Sequence, residues 1–457
     1  MTASAEHVGT VAGPHDRTDA YCVIGAGSSG LAALKNLREQ GFQADCFERE
    51  PELGGNWNFA GRNARIYASV HTISSKPFTQ YPDFPMPDDY PDYPHHTQLF
   101  SYLWRYAEHF GLLDHIRLDH EILRVTPAPG TADRWDVTYR GPDGFWQTAR
   151  YAGVVVANGH NWHPKLPEYP GLDSFTGEVC HSAQYKSADL VRGRRVLVVG
   201  AGNTGCDLAV ESAQNAAVTW HCTRRGYWYA PKYALGRPAD QAADFWLGIR
   251  APLKLRQWLF RKVLDITVGD LTRYGLPEPD HAPFETHPIV NSQLVYYVAH
   301  GDIQPRPDIA HVDGGTVTFL DGSTADPDLI LLCTGYLARF EFLDEAHLNW
   351  TAGRPLLYQH IFTPRHQTLA VAGLIQPDSG QFTLTHWQTM AIAAALRARH
   401  DAPARYARFR RRVLGEPGRA WSGGARYASS TRHYYEVAHH DYLRGLEKTI
   451  NSLGGVR

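Results

Sequence analysis

Twice in this chain an apolar run breaks at a Gly-x-Gly-x-x-Gly turn and resumes at helical spacing, and no other feature narrows the fold so far. The first copy is Ala20-Tyr21-Cys22-Val23-Ile24, then Gly25-Ala26-Gly27-Ser28-Ser29-Gly30, then Leu31, Leu34 and Leu37. Gly41 closes that helix, and Gln43–Phe47 reads as a second short strand running into Glu48. The second copy is a strand over Arg195–Val199, the turn Gly200-Ala201-Gly202-Asn203-Thr204-Gly205, a helix through residues 208–213 and a strand over 217–222. Strand, glycine turn, helix, strand is the context in which such a turn binds a pyrophosphate. The first glycine makes the tight turn, the second admits the phosphates to the backbone, and the third lets helix and strand close up. The helix N-terminus then offers unpaired N–H groups. The chain is therefore expected to be α/β with two dinucleotide-binding, Rossmann-like domains.

The end of the second strand separates the two sites. Gly25 to Glu48 spans 23 positions, and Gly200 to Thr223 spans the same 23, with Arg224 and Arg225 following. A carboxylate at that point accepts hydrogen bonds from an unmodified adenosine ribose and repels a 2′-phosphate; arginine does the reverse. The first site is expected to take FAD or NAD, and the second NADP. Glu52-Leu53-Gly54-Gly55-Asn56-Trp57 follows Glu48 closely, and its Gly-Gly pair beside a Trp allows close backbone contact with a flat ring. That favours FAD in the first site.

At 457 residues the chain is long enough for two or three domains. Residues 1–18 read as a flexible leader and 19–167 as the first part of an FAD-binding domain. Residues 168–327 read as an inserted NADPH-binding domain, and 328–400 as the return to the first domain. Residues 401–457 read as a peripheral C-terminal helix and tail. Within the insert, residues 239–275 carry Phe245, Trp246, Leu247, Leu253, Trp258, Leu259, Phe260 and Leu264, which fit helices with much apolar surface. They suit a substrate-side insertion or a subunit contact, so homo-oligomerisation stays open.

With 43% hydrophobic and 20% charged residues the chain reads as folded and globular, and a net charge of −2 gives no reason to expect nucleic acid as a partner. The six cysteines form no C-x-x-C pair, which discourages a disulfide reductase and points to a reducing, cytoplasmic setting. No apolar run is long enough to span a membrane. The histidines are scattered without ligand spacing, so no metal is expected.

One further stretch makes a resemblance specific. Phe175-Thr176-Gly177-Glu178-Val179-Cys180-His181-Ser182-Ala183-Gln184-Tyr185 lies between the two glycine turns and matches F-x-G-x-x-x-H-x-x-x-[Y/F]. Leu332-Cys333-Thr334-Gly335-Tyr336, Ser74-Ser75-Lys76 and Tyr81-Pro82-Asp83-Phe84-Pro85 follow the same family pattern. In these motifs the chain resembles the flavin-containing monooxygenases over roughly residues 20–400. The Baeyer–Villiger branch usually carries Trp where this chain has Tyr185. The resemblance implies an NADPH-dependent enzyme that forms a C4a-(hydro)peroxyflavin from bound FAD and O2 and oxygenates a small molecule at nitrogen or sulfur. Baeyer–Villiger oxygenation of a ketone with the same cofactors is the first alternative. A non-enzymatic flavoprotein sensor is the second.

Motif and resemblance together implicate Gly25, Gly27, Ser28, Ser29, Gly30, Glu48, Gly55, Asn56, Trp57 and Thr72 as FAD contacts. Gln388 joins them on a helix over residues 385–399 whose N-terminus would face the flavin. Gly200, Gly202, Asn203, Thr204, Gly205, Asp207, Arg224 and Arg225 are implicated for NADP. His181 and Gly177 would hold geometry in the interdomain linker. Asn291 aligns with a family Asn that faces the flavin pocket, although a buried structural Asn reads equally well. Ile73 is a departure: the family usually has Asn there, beside both the flavin and NADP, where it is thought to help hold the oxygenated flavin.

Overall fold

A computed structural model describes residues 13–131, 133–234, 236–242, 251–286, 289–427 and 433–455. The first unit opens with β1 (His15–Ile24), α1 (Ser28–Glu39) and β2 (Gln43–Phe47). It continues through α2 (His96–His109), β3 (Ile116–Arg117), β4 (Glu121–Pro127), β5 (Trp135–Arg140) and β6 (Trp146–Val156). The second unit supplies β7 (Glu178–His181), β8 (Arg195–Val199), α3 (Asn203–Asn215) and β9 (Val218–Cys222). It goes on with α4 (Leu253–Thr267), α5 (Leu294–His300), β10 (Ile303–Arg306) and β11 (Leu329–Leu332). The chain then returns through β12 (Leu369–Val371), α6 (Gln381–Asp401), α7 (Pro403–Gly415) and α8 (His439–Leu453).

Two sheets organise these elements. The first has the order β3-β2-β1-β6-β5-β4, with β12 paired parallel to β6 beside the path. The second has the order β10-β9-β8-β11-β7 and is parallel throughout. Its two central strands show why the sequence reads as unbroken apolar runs. Val196, Val198, Leu329 and Leu331 pack to one face, while Leu197, Val199, Ile330 and Leu332 pack to the other. A strand covered on both faces needs an apolar residue at every position. The sequence-based expectation of an α/β chain with paired nucleotide-binding sheets describes this architecture.

Three boundaries differ from the expected ones. The strand over Leu329–Leu332 sits between β8 and β7 in the second sheet, so the return to the first unit begins after it and not at 328. An apolar parallel strand carries no mark of which sheet it joins. Within the span expected as a flexible leader, 1–18, His15, Asp16 and Arg17 already pair with β6; residues 1–12 lie outside the described residues. The described parts of the segment 401–457 are not peripheral. Tyr406, Phe409, Val413, Tyr442, Leu446 and Ile450 are buried in the core that α1 and α6 share. Its many arginines hide this in composition, yet Arg405, Arg408 and Arg411 are exposed on α7 while Tyr406, Phe409 and Val413 recur at helical spacing on the inner face. Of the apolar insertion, Phe245, Trp246 and Leu247 lie outside the described residues. Leu253, Trp258, Leu259, Phe260 and Leu264 fall on α4, where only Leu264 is buried.

Candidate active site

Each glycine turn is built the same way. Gly25 has φ +99° and Gly200 φ +115°, backbone that a side chain resists. A Cβ on Gly30 would stand 1.6 Å from the Gly25 carbonyl oxygen, and one on Gly205 would stand 1.9 Å from that of Gly200. Only glycine lets either helix close on the strand before it. Both helices begin without a side-chain cap, α1 on Gly27 and α3 on Gly202, with no acid in the first turn. Ser28 and Ser29 open α1, as Asn203 and Thr204 open α3. Such uncapped N-termini, with free N–H groups and the positive end of the helix dipole, fit a pyrophosphate in both units.

The readers beyond the turns differ. Glu48 is 6% exposed, and its carboxylate accepts from the Ala26 N–H at 2.7 Å and the Glu50 N–H at 3.1 Å. Burial raises its pKa, and the two amides partly counter that. Each oxygen keeps acceptor capacity for a ribose diol. At the matching position the Thr223 hydroxyl is buried with no protein partner. Arg224 is exposed. Arg225 is already engaged, donating from Nε at 3.0 Å and a terminal nitrogen at 2.7 Å to Asp280. The sequence treated the two arginines alike, whereas the fold leaves Arg224 as the uncommitted one.

Around the first turn the chain closes a cradle. The Gly54 N–H donates to the Ala26 carbonyl at 3.0 Å, which brings the Gly55–Trp57 turn against Gly27. The Asn56 side-chain oxygen accepts the Arg65 N–H at 2.7 Å. On the far side Gly373, following β12, meets the turn. A Cβ there would lie 2.1 Å from Ser29 Oγ. Sequence reasoning missed Gly373, although it follows an apolar strand just as Gly25 does. Gln388 was expected to contact FAD. It is buried, its oxygen accepts the Gly373 N–H at 2.8 Å and its nitrogen donates to the Tyr442 hydroxyl at 2.7 Å. Gln388 thereby braces the Gly373 loop beside the first turn.

One loop of the first unit, residues 67–75, docks on the second. Tyr67 donates its hydroxyl to Asp207 at 2.8 Å, and Asn291 donates to the other Asp207 oxygen at 2.6 Å. The Ser75 N–H donates to Asp240 at 2.6 Å. Asn291 also accepts from the Gln293 and Leu294 N–H groups at the start of α5. Its amide thus serves as a cap and a tether, as the structural reading of Asn291 expects. Asn203 accepts from the Val290 N–H at 2.9 Å through its side-chain oxygen. Burial raises the Asp207 pKa, a shift that Tyr67, Lys232 and Asn291 oppose. Thr72, in the same loop, is buried with an unpartnered hydroxyl, while Ile73 beside it is 37% exposed.

The linker motif sits where the units join. Gly177 lies against the Phe175 ring and the Asp328 carbonyl, with no room for a Cβ. His181 accepts the Ala183 N–H at 3.0 Å through Nδ1, and burial pushes its pKa down to about 4. It is a neutral hydrogen-bonding ring at physiological pH. Among the described residues no group of three or more His, Cys, Asp or Glu could hold a metal ion, and no helix is long and apolar enough to cross a membrane.

Two uncapped glycine turns, one followed by a buried carboxylate and one by an exposed arginine, with a shared loop between them, fit a protein that binds two dinucleotides. The model of the flavin-binding monooxygenase-like family matches residues 19–442, and the chain belongs to that family. Human flavin-containing monooxygenase 1 is 35% identical over 372 residues, covering 78% of this chain and 69% of the relative. Flavin-containing monooxygenase 5 of Oryctolagus cuniculus is 32% identical over 454 residues, covering 95% and 82%. Among solved structures, the S-allyl-L-cysteine S-oxygenase of Allium sativum superposes with a TM-score of 0.65 at 22% identity, covering 96% of this chain and 89% of that one. Cyclohexanone monooxygenase from Rhodococcus sp. Phi1 bound to NADP+ superposes with a TM-score of 0.67 at 18% identity, covering 97% and 98%. The protein is a flavoprotein monooxygenase, and its cofactors are FAD and NADPH.

Proposed function

We propose that the first unit holds FAD, the second holds NADPH, and the substrate is a small molecule oxygenated at nitrogen or sulfur. The observation that carries the assignment is the contrast 23 residues beyond each turn: Glu48 beside one, Thr223 and the uncommitted Arg224 beside the other. When bound, FAD accepts hydride from NADPH and activates O2 for transfer. The chain's own residues orient and shield. The α1 N-terminus would take the FAD pyrophosphate, Glu48 its adenosine ribose, and the Gly55–Trp57 turn the region beyond. The α3 N-terminus would take the NADPH pyrophosphate and Arg224 the 2′-phosphate. Thr72 and Ile73 would line the pocket between the units, and the docked 67–75 loop would exclude water.

Transfer of oxygen to an amine or a sulfide suits this site because a soft nucleophile attacks without a protein base. Tyr185 in place of the Trp usual in the ketone-oxygenating branch favours the same reading, as do curated relatives near one-third identity that are flavin-containing monooxygenases. A ketone substrate remains the second reading, on the structural likeness to cyclohexanone monooxygenase. A cytoplasmic location belongs to the same proposal, supported by six free, buried cysteines. The deciding experiment is NADPH oxidation screened across amines, sulfides and ketones, with H2O2 counted beside product. Oxygenated amine or sulfide with little lactone or ester supports the reading; product only from ketones overturns it.

A further inference from the structure

We propose that Lys232, carried by the second unit, is a positioning residue for the oxygenation: its ammonium pins Thr72–Ile73 of the first unit in place at the mouth of the flavin pocket. This rests on the assignment of FAD and NADPH above, since it takes Thr72 and Ile73 as pocket residues. Lys232 Nζ donates to the Thr72 carbonyl at 3.3 Å and stands 5.0 Å from the centre of the Tyr93 ring. The Lys232 backbone is held at both ends. Its N–H donates to Ser292 Oγ at 2.8 Å, and its carbonyl accepts from the Tyr93 hydroxyl. The side chain therefore leaves a fixed base. The half-buried ammonium is stabilised by the nearby Asp207 carboxylate, which works against the burial that lowers its pKa. A carbonyl, an aromatic face and a carboxylate together offset much of the cost of taking a cation partly out of water.

The placement separates Lys232 from the other ties between the units. Tyr67 to Asp207 and Ser75 to Asp240 hold the two ends of the loop. Lys232 holds its middle, at the residue next to Ile73. The Thr72 N–H is committed to the Pro94 carbonyl and its hydroxyl has no protein partner, so the carbonyl is the handle by which the second unit grips this residue. With both loop ends still tied, removing the ammonium should loosen residues 72–74 without undocking the units. A loosened pocket wall admits water and sheds activated oxygen as H2O2.

The test compares Lys232→Met, which keeps the length and loses the charge, with Lys232→Arg, which keeps the charge. Amide hydrogen exchange over residues 72–74 is measured with and without FAD, and H2O2 released per NADPH is measured in the FAD-loaded enzyme. Lys232→Met is expected to speed exchange there by about tenfold or more and to raise the H2O2 share by roughly twofold or more, with flavin content unchanged. Lys232→Arg is expected to restore both to near wild type. Unchanged exchange in Lys232→Met overturns the proposal, as does an Arg variant that behaves like Met. Faster exchange with an unchanged H2O2 share also overturns it, leaving a contact that matters only to the loop. The exchange arm without FAD reads Lys232 by itself. A wild type that binds no FAD defeats the cofactor assignment instead, and the two failures are told apart.

Discussion

The two glycine turns are nearly superposable in design, and their surroundings are not. Both begin at a left-handed glycine, close on a glycine with no room for a Cβ and open an uncapped helix. The first is then enclosed: Glu48 is locked by two backbone amides, the Gly54–Gly55 turn docks from one side and Gly373 from the other. The second stays open, with Arg224 exposed and Arg225 drawn away to Asp280. A cofactor that stays through every cycle suits an enclosed site, and one that enters as NADPH and leaves as NADP+ suits an open one. The same backbone device thus stands in two different surroundings, and the difference lies in what packs over it.

Gly205→Ala offers the largest expected effect and the sharpest break between the sites. The added Cβ would meet the Gly200 carbonyl well inside contact distance. Overpacking of this kind costs about 1–3 kcal/mol or more. NADPH-driven flavin reduction should fall by roughly a hundredfold or more, while the flavin absorbance bands persist. If the bands vanish as well, the two sites are not independent and the comparison fails.

Next comes Glu48→Ala, which should weaken FAD retention. Charge-assisted hydrogen bonds contribute about 1.5–3 kcal/mol, roughly tenfold to a hundredfold in binding. Flavin remaining after gel filtration measures it, and unchanged retention would remove Glu48 from the ribose site. The wild type adds a pH arm. Burial raises the Glu48 pKa, so on acidification the carboxylate is protonated, and its acceptor role lost, at a higher pH than an exposed glutamate would show. FAD release should follow that titration, and Glu48→Gln should flatten it.

Arg224→Ala should raise the KM for NADPH about tenfold or more while leaving NADH nearly unchanged. Arg225→Ala should do distinctly less, because its guanidinium already serves Asp280. Equal effects of the two substitutions would mean that the ion pair with Asp280 opens when NADPH binds. The smallest effect is expected at Ile73, between the sites. Its partial exposure means that Ile73→Asn should change stability by no more than about 0.5 kcal/mol. The added amide should lower the share of NADPH electrons lost as H2O2, measured without substrate. An unchanged share would place Ile73 away from the flavin.

Much of this was legible before any coordinates. The strand-turn-helix pattern marked both turns, and the equal 23-residue spacing marked Glu48 and Arg224 as counterparts. The linker motif and the Thr334-Gly335-Tyr336 turn brought the family into view. What escaped were contacts between residues far apart in the chain. Gln388 looked like a ligand contact because helix periodicity says which residues share a face and not what meets it; it meets Gly373 and Tyr442. Asn291 and Asp207 are separated by 84 positions and bonded at 2.6 Å. Lys232, in a Pro-Lys-Tyr stretch with no motif, drew no attention at all.

By itself the sequence determined the α/β class, the two glycine turns and the opposite charges that stand 23 and 24 residues beyond them. These depend on local backbone geometry and on spacing along a strand and a helix, which a short window of residues carries in full. Only the tertiary structure decided that β11 belongs to the second sheet, that α7 and α8 complete the first core, that Arg225 pairs with Asp280 while Arg224 stays exposed, and that Lys232 reaches Thr72. Each of these depends on which of several chemically equivalent surfaces meet when distant segments pack. An apolar strand fits either sheet and an arginine fits any carboxylate, so the choice is settled by the packing of the whole chain and not by any one stretch of it.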